Sequence, residues 1–287
     1  MGWSLITASG ASSLVNPNRA NFGRQRVAAL DGLRGILAVV VLAGHVCKPF
    51  GITFLLIPSH VAVCLFFVMS GYVLTRAWQG DLVHFLLRRF LRLWPVYAAS
   101  LAVGFIIAGR HPQWTQFFWY PYIDPRDPST VNPPTWSLVL EAWAMPFMPL
   151  IVWAGTSTVY RAALAMLLML CAGLFYAPII VLAFFIAGAY FSRKVVRNGW
   201  LESAIPQWLG KISYSLYLSH FLVLTVFVKL LGPWGGILCL PVVFCVAWLT
   251  WFGLERPSIW LSRRADTIPI GKRLMAQVGG GTSDGSL

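Results

Sequence analysis

Long apolar runs, separated by short polar or basic segments, make up most of the chain. A helix needs about 20 mainly apolar residues to cross the hydrocarbon core of a bilayer. Matching the runs to that length predicts membrane-spanning helices near residues 31–50, 57–75, 93–109, 136–154, 161–176, 177–191, 212–231 and 236–253. The pattern is therefore typical of an all-α, polytopic membrane helix bundle with about eight transmembrane helices.

The apolar stretch over residues 162–191 allows two interpretations. It can form two short helices that turn near Tyr176, Ala177 and Pro178, or one long helix kinked at Pro178. With eight spans and a cytoplasmic N-terminus, all but four of the 22 Lys and Arg residues lie on the cytoplasmic side, and the exceptions are Lys48, Arg110, Arg126 and Lys229. Because cytoplasmic loops are rich in Lys and Arg, this asymmetry favours two helices and places both termini in the cytoplasm.

The composition indicates a membrane protein and argues against a nucleic-acid-binding one. Hydrophobic residues make up 58% of the chain, charged residues make up 11%, and the mean hydropathy is +0.71. These values lie outside the range of soluble domains. The formal net charge of +13 comes from cations in short loops beside apolar runs, where they set topology. We therefore expect membrane lipid, and no nucleic acid, as a partner.

The two ends of the chain differ in composition from its apolar centre. The first 25 residues are polar and small, and the last 22 end in a Gly- and Ser-rich run. Such compositions are typical of mobile tails. We expect a mobile N-terminal tail at 1–25, a transmembrane domain at 26–258 and a polar cytoplasmic C-terminal tail at 259–287.

The five cysteines lie in or next to apolar runs, and neither a C-x-x-C pair nor a Cys/His cluster at zinc spacing occurs. Cysteines in such surroundings behave as small hydrophobic residues. We therefore expect buried free thiols and no metal site: Cys47, Cys64, Cys171, Cys239 and Cys245.

Polar side chains form a stripe along the first predicted span. Arg34 and His45 are eleven residues apart, about three helical turns and roughly 16 Å along the axis, so they share a helix face. Asp31 and Ala38 fall on the same face. An imidazole inside the membrane can take a proton from a hydroxyl as a general base. The alternative is a histidine that is hydrogen-bonded in the bundle interior.

Three arginines precede the third predicted span. Arg88 and Arg92 are four residues apart, and Arg89 and Arg92 are three apart, so on a helix their guanidinium groups converge at the inner interface. Arginine grips phosphate bidentately, which suits such a cluster to a phosphate-bearing ligand. The alternative is ordinary positive-inside anchoring.

The fourth predicted span begins with Trp136 at an interface, and Glu141 lies about 7 Å deeper on the helix. A carboxylate at that depth could orient a histidine or hold the hydroxyls of an acceptor. The competing interpretation is a structural partner for an arginine elsewhere in the bundle.

The seventh and eighth predicted spans also carry polar residues. Ser213, Tyr217 and His220 recur at helical spacing and predict one polar stripe within an apolar helix. His220 is either a second site residue or a hydrogen bonder in helix packing. At the end of the eighth span, Pro257 is expected to stop the helix, and Glu255 can pair with a neighbouring arginine.

Six segments between about Arg26 and Pro257 carry most of these residues: RVAALDGLRGILAVVVLAGH, FFVMSGYVLTR, FLLRRFLRLWPVY, WSLVLE, ISYSLYLSH and LERP. In this order they resemble the motifs of the acyltransferase-3 family of integral-membrane acyltransferases. No single segment is specific, but six ordered matches are.

The resemblance implies transfer of an acyl group, most often acetyl, from a cytosolic acyl-CoA to a hydroxyl of a carbohydrate, polysaccharide precursor or glycolipid. In that family an Arg and a His spaced as Arg34 and His45 are held essential, and an Arg-x-x-Arg pair matching Arg89 and Arg92 is linked to donor binding. The resemblance also implies acyl-CoA as co-substrate, no permanently bound cofactor and a location in a bacterial cytoplasmic (inner) membrane. His45 and Glu141 are then expected nearer the outer side, where an acceptor enters.

The chain departs from the family in length, since members usually have about ten spans and about eight are predicted here. The deficit falls between Glu141 and Tyr214. Two alternatives stay open: a transporter or lipid-handling protein that uses the intramembrane His/Arg/Glu path, and a catalytically silent scaffold. Against the transporter, the sequence shows no inverted repeat.

Overall fold

The computed structural model describes residues 27–52, 58–118 and 130–265, and 83% of this part is helical with no strand. The helices are α1 Ala28–Cys47, α2 Ser59–Ala77, α3 Leu82–Ala108, α4 Trp114–Phe117, α5 Thr135–Ala144, α6 Met148–Gly155, α7 Val159–Gly173, α8 Ile180–Phe191, α9 Ala204–Leu231, α10 Gly235–Leu238, α11 Leu240–Thr250 and α12 Arg256–Arg264. Short 3-10 turns at Lys48–Phe50, Met145–Phe147, Ala177–Ile179 and Gly232–Trp234 extend or join these helices. The predicted all-α class is confirmed.

Five helical segments are long and apolar enough to cross a membrane: Ala28–Phe50, Ser59–Ala77, Leu82–Ala108, Thr135–Gly155 and Ala204–Leu238. Two shorter apolar helices occupy Val159–Gly173 and Ala177–Phe191. They are separated at residues 174–176, as the two-helix interpretation of 162–191 expects. The number of spans and the side of each terminus stay predictions.

Two helices begin well before the predicted spans. Helix α3 begins at Leu82 rather than near 93, because the Asp81 side chain caps it by accepting a 3.0 Å hydrogen bond from the His84 backbone N–H. The arginines at 88, 89 and 92 are therefore helical residues and not part of a loop. Helix α9 begins at Ala204, before the predicted 212. Hydropathy falls where charges begin, but Leu, Arg and Lys are good helix formers and the helix continues.

The expectation that Pro257 stops the last helix is wrong. The helix continues from Leu240 to Arg264, with a π turn at Trp251–Glu255 that ends two residues before Pro257. A π turn changes the hydrogen-bond register just where proline lacks an N–H, so the chain stays helical. Residues 259–264 lie in α12, whereas residues 1–25 and 266–287 lie outside the described residues, so the division into two tails and a transmembrane domain stays a prediction.

Glycines allow the helices of two pairs to pack with their backbones in contact. Helix α1 packs along α9, where a methyl group at Gly210 would collide with the backbone of Asp31. Helix α2 packs along α8, where a methyl group at Gly188 would collide with the backbone of Val68 and Tyr72. Small residues at helix contacts are the usual means of close packing in membranes. Helix α1 also contacts α2, so it lies between α9 and α2, and this packing sets the position of Arg34 and His45.

All five cysteines are free thiols, as predicted, but their expected burial is only partly correct. Cys239 is buried and Cys47 and Cys64 are half-buried, whereas Cys171 and Cys245 are exposed. The two exposed cysteines lie on α7 and α11, whose outer faces are apolar and face away from the bundle. An apolar residue on a membrane helix can face lipid as well as the core, so hydropathy does not separate the two.

Candidate functional site

Five helices enclose a cavity of about 800 Å³, counting its open part. We call it the inner cavity. Its polar lining comes from Arg34 of α1, Ser70 of α2, Arg89 and Arg92 of α3, Ser137 and Glu141 of α5, and Ser213, Tyr214 and Tyr217 of α9. Phe66, Phe67 and other apolar side chains complete the wall. The structure thus brings together six residues that the sequence singled out from four separate segments.

A wider cavity of about 2000 Å³, counting its open mouth, shares Arg34, Val73, Arg89 and Arg92 with the inner cavity. We call it the basic vestibule. Eight cationic side chains line it, against the carboxylates of Asp31 and Glu255: Arg34, Arg76, Arg88, Arg89, Arg92, Lys211, Arg256 and Arg263. Positive charges clustered in the wall of a concave site raise the local concentration of anionic ligands. The vestibule is therefore suited to a ligand with several negative charges.

The three predicted phosphate-binding arginines differ in their surroundings. Arg89 and Arg92 line both cavities. Arg88 lines only the vestibule and donates a 3.3 Å hydrogen bond to the carbonyl of Ala77, the last residue of α2. Arg88 thus also ties α3 to α2, whereas Arg89 and Arg92 are the arginines placed at the junction of the two cavities.

Glu141 groups with the arginines rather than with His45. Its Oε1 accepts a 3.1 Å hydrogen bond from the Ser70 hydroxyl, and its charge acts on Arg89. The family resemblance implies that Glu141 and His45 both lie nearer the outer side, which stays a prediction, and the competing interpretation of Glu141 is a structural partner for an arginine. Glu141 lines the inner cavity from α5, which ends at Ala144 before the turn at Met145–Phe147.

Tyr217 forms the wall between the inner cavity and the two histidines. Its hydroxyl lies 2.8 Å from that of Ser137, a buried hydrogen bond, and its ring packs against that of His220 with centroids 6.0 Å apart. Phe66, which also lines the inner cavity, packs edge-on against the Tyr217 ring with centroids 5.8 Å apart. One side of the phenol therefore belongs to the inner cavity and the other to the histidine pair.

His45 of α1 meets His220 of α9, with ring centroids 5.3 Å apart. The edge of Phe221 also packs against His45, at 5.5 Å. His45 is half-buried, whereas His220 is 1% exposed. The predicted stripe of Ser213, Tyr217 and His220 thus runs from the inner cavity to His45, and His45 itself is not among the residues that line either cavity.

Glu255 is a site residue whose partners the sequence did not identify. It is 5% exposed, lines the vestibule and accepts a 2.6 Å hydrogen bond from the Ser215 hydroxyl. The charges of Arg92 and Arg34 act on Glu255, whose pairing with a neighbouring arginine stays a prediction. Ser70 and Ser137 were also missed as site residues, although the four-residue spacing of Ser137 and Glu141 would have placed them on one helix face.

Comparison with known proteins gives a family and one relative. The family model described as an acyltransferase domain, that of the acyltransferase-3 family, matches residues 27–200. "Protein 2 in picA locus" of Rhizobium radiobacter is 37% identical over 86 residues, which cover 28% of this chain and 44% of that protein. The chain thus spans less than half the length of this relative. No solved structure matches the chain. Because the family model covers more than half of the 287 residues, the chain belongs to the acyltransferase-3 family of membrane acyltransferases.

Proposed function

We propose that the protein is a membrane-bound O-acyltransferase that moves an acyl group, acetyl in the first instance, from acyl-CoA to a hydroxyl of a carbohydrate, polysaccharide precursor or glycolipid. The observation that carries this proposal is the set of neighbouring parts: a basic vestibule shares Arg34, Arg89 and Arg92 with an inner cavity, the inner cavity is lined by Ser137 and Tyr217, and Tyr217 packs on His220, which packs on His45. We propose a bacterial cytoplasmic membrane as its location, with both termini in the cytoplasm.

The donor is proposed to bind through its phosphates. Coenzyme A carries a pyrophosphate and a ribose phosphate, and the vestibule presents eight cations against two carboxylates. Arginine pairs bidentately with phosphate oxygens, so Arg89 and Arg92, at the junction of the cavities, are the proposed grip on the donor. Arg34, which lines the same junction, adds positive charge next to them.

The chemical step is proposed to occur toward His45. Arg34 and His45 lie roughly 16 Å apart along α1, and the extended phosphopantetheine arm separates the thioester from the phosphates by a similar order of length. His45 takes the proton of the acceptor hydroxyl, the oxygen attacks the thioester carbonyl carbon, the carbon–sulfur bond breaks, and the thiolate of coenzyme A receives the proton from His45. Glu141 is proposed to hold hydroxyls of the acceptor. The co-substrate is acyl-CoA, and no permanently bound cofactor is needed.

Purified protein in lipid nanodiscs, supplied with radiolabelled acetyl-CoA, tests the proposal through acyl transfer to a glycoside mixture and through acetyl-CoA hydrolysis. We expect wild-type turnover, and its loss in His45→Ala and in Arg34→Ala. Turnover that survives both substitutions would overturn the mechanism. Absence of any turnover, together with uptake of a labelled solute into proteoliposomes, would instead favour the transporter.

Equilibrium binding of labelled acetyl-CoA tests the donor site separately. We expect the double variant Arg89→Ala/Arg92→Ala to lose binding by at least about 10-fold, because two charge-assisted phosphate contacts are removed. The matched control is Arg161→Ala/Arg197→Ala, which removes two exposed arginines that do not line either cavity. Equal acetyl-CoA binding by both double variants would mean that Arg89 and Arg92 serve only as positive-inside anchors.

A further inference from the structure

The buried histidine on α9 has one ring nitrogen that is hydrogen-bonded and one that is not. His220 Nδ1 lies 3.1 Å from the Leu216 carbonyl of the preceding turn. Because a carbonyl only accepts, Nδ1 must carry the hydrogen, and in the neutral ring Nε2 then has a free lone pair. Nε2 is buried and has no hydrogen-bond partner in the described structure. Such an acceptor is costly to leave unpaired inside a protein.

The titratable ring packed against His220 is that of His45, with ring centroids 5.3 Å apart and ring planes tilted by 44°. Both rings lie on helices that are locked together by glycine contacts, so their separation is fixed by the packing of α1 on α9. The other ring packed on His220 is Tyr217, whose hydroxyl is already engaged by Ser137. Lys48 is the charged side chain that acts on His45, and a second cation gives no support to an imidazolium.

We propose that His220 is a positioning residue for His45, an inference that rests on the proposed function. When His45 takes the proton of the acceptor hydroxyl, its imidazolium N–H donates to His220 Nε2, which then has its missing partner. The bond is stronger to a charged donor than to a neutral one, so it stabilises the state that forms during the reaction more than the resting state. His220 thus does for His45 what a buried carboxylate does in a catalytic triad, without adding a negative charge.

Two substitutions separate positioning from packing. His220→Phe keeps an aromatic ring and removes the acceptor, whereas His220→Gln keeps an acceptor oxygen near the end of the side chain. With acetyl-CoA hydrolysis in nanodiscs as the assay, we expect kcat to fall at least about 30-fold in His220→Phe, with KM for acetyl-CoA changed less than about 3-fold, and to recover at least in part in His220→Gln. His60→Phe, on an exposed histidine of α2, is the matched control and should retain wild-type kcat.

Normal kcat in His220→Phe would overturn the proposal, and so would an equal loss in His220→Phe and His220→Gln. If His220→Phe does not fold, ¹⁵N-histidine-labelled protein decides. In acidified nanodiscs we expect a nitrogen–nitrogen coupling across an N–H···N bond between the two rings, lost in His220→Gln. Its absence in the wild type would overturn the proposal. An inactive wild type that shows the coupling would place the failure in the proposed function and not in the pairing.

Discussion

The Ser137 and Tyr217 hydroxyl oxygens lie 2.8 Å apart across 80 residues of sequence. This bond lies in the wall that separates the inner cavity from His220 and His45. Ser137 also donates to the Pro134 carbonyl at 3.2 Å, so the Ser137 hydroxyl keeps a partner when the Tyr217 hydroxyl is removed. The phenol is therefore a place where the polar connection can be cut with little damage to the fold.

Tyr217→Phe is expected to leave the fold intact and to lower turnover. The ring still packs on Phe66 and His220, and the lost hydrogen bond costs about 1 kcal/mol of stability. We expect acetyl-CoA binding within about 2-fold of wild type and kcat about 10-fold lower, because a group next to the reacting pair has changed. Tyr160→Phe, at a tyrosine that is 84% exposed, is the control for both assays. Unchanged kcat in Tyr217→Phe would remove the phenol from the mechanism.

Glu141→Gln separates the charge of this residue from its hydrogen bond. The amide oxygen of Gln can still accept from Ser70, so the cavity wall is kept. Loss of a negative charge near Arg89 is expected to leave acetyl-CoA affinity equal to or higher than that of wild type, while turnover falls about 10-fold.

Glu202→Gln, on an exposed carboxylate, is the control for Glu141→Gln. Wild-type turnover in Glu141→Gln would favour the structural interpretation of Glu141, in which it only balances an arginine.

Helix α12 offers two neighbouring arginines with different positions. Arg263 lines the vestibule, whereas Arg264 lies over the Trp260 ring with its Cζ 3.9 Å from the centroid and does not line the vestibule. We expect Arg263→Ala to weaken acetyl-CoA binding about 5-fold, with a smaller effect at high salt, because an exposed charge acts through a screened field. Arg264→Ala should bind as wild type does. Equal effects of the two substitutions would mean that α12 acts only through its net charge.

The glycine contact between α2 and α8 should be intolerant of a single methyl group. Gly188→Ala drives Cβ into the backbone of Val68 and Tyr72, which cannot rotate away, so we expect a loss of about 1–3 kcal/mol. Gly199→Ala meets open space and should change stability by less than about 0.5 kcal/mol. Thermal unfolding in detergent, followed by tryptophan fluorescence, compares the two. Equal unfolding temperatures would contradict the close packing.

The sequence predicted where the helices lie better than it predicted the residues at which they begin and end. The length of the apolar runs located the helices around His45, Ser70 and Glu141, because a helix needs a run of that length to cross a bilayer. It misplaced the start of α3 and the end of α12, where charged residues continue a helix beyond its apolar part. A cap at Asp81 and a π turn before Pro257 are local backbone features that hydropathy does not register.

Spacing along one helix identified polar stripes, but it could not say which stripes meet. Ser213, Tyr217 and His220 do share a face, as the spacing predicts. That His220 meets His45, and that Glu141 lies with Arg89, depends on contacts between helices far apart in sequence. Ser70 carries no signal of its own in an apolar helix, and its partner Glu141 is 71 residues away.

The proposed function requires that one protein bind an acyl-CoA through its arginines and use His45 for the chemistry. Acetyl-CoA binding and turnover, measured on the same nanodisc preparations of wild type, His45→Ala and the control His60→Ala, separate the two roles. We expect His45→Ala to bind acetyl-CoA within about 2-fold of wild type and to lose at least about 100-fold in turnover, as removal of a general base does. Wild-type turnover in His45→Ala, with acetyl-CoA binding unchanged, would exclude His45 as the general base.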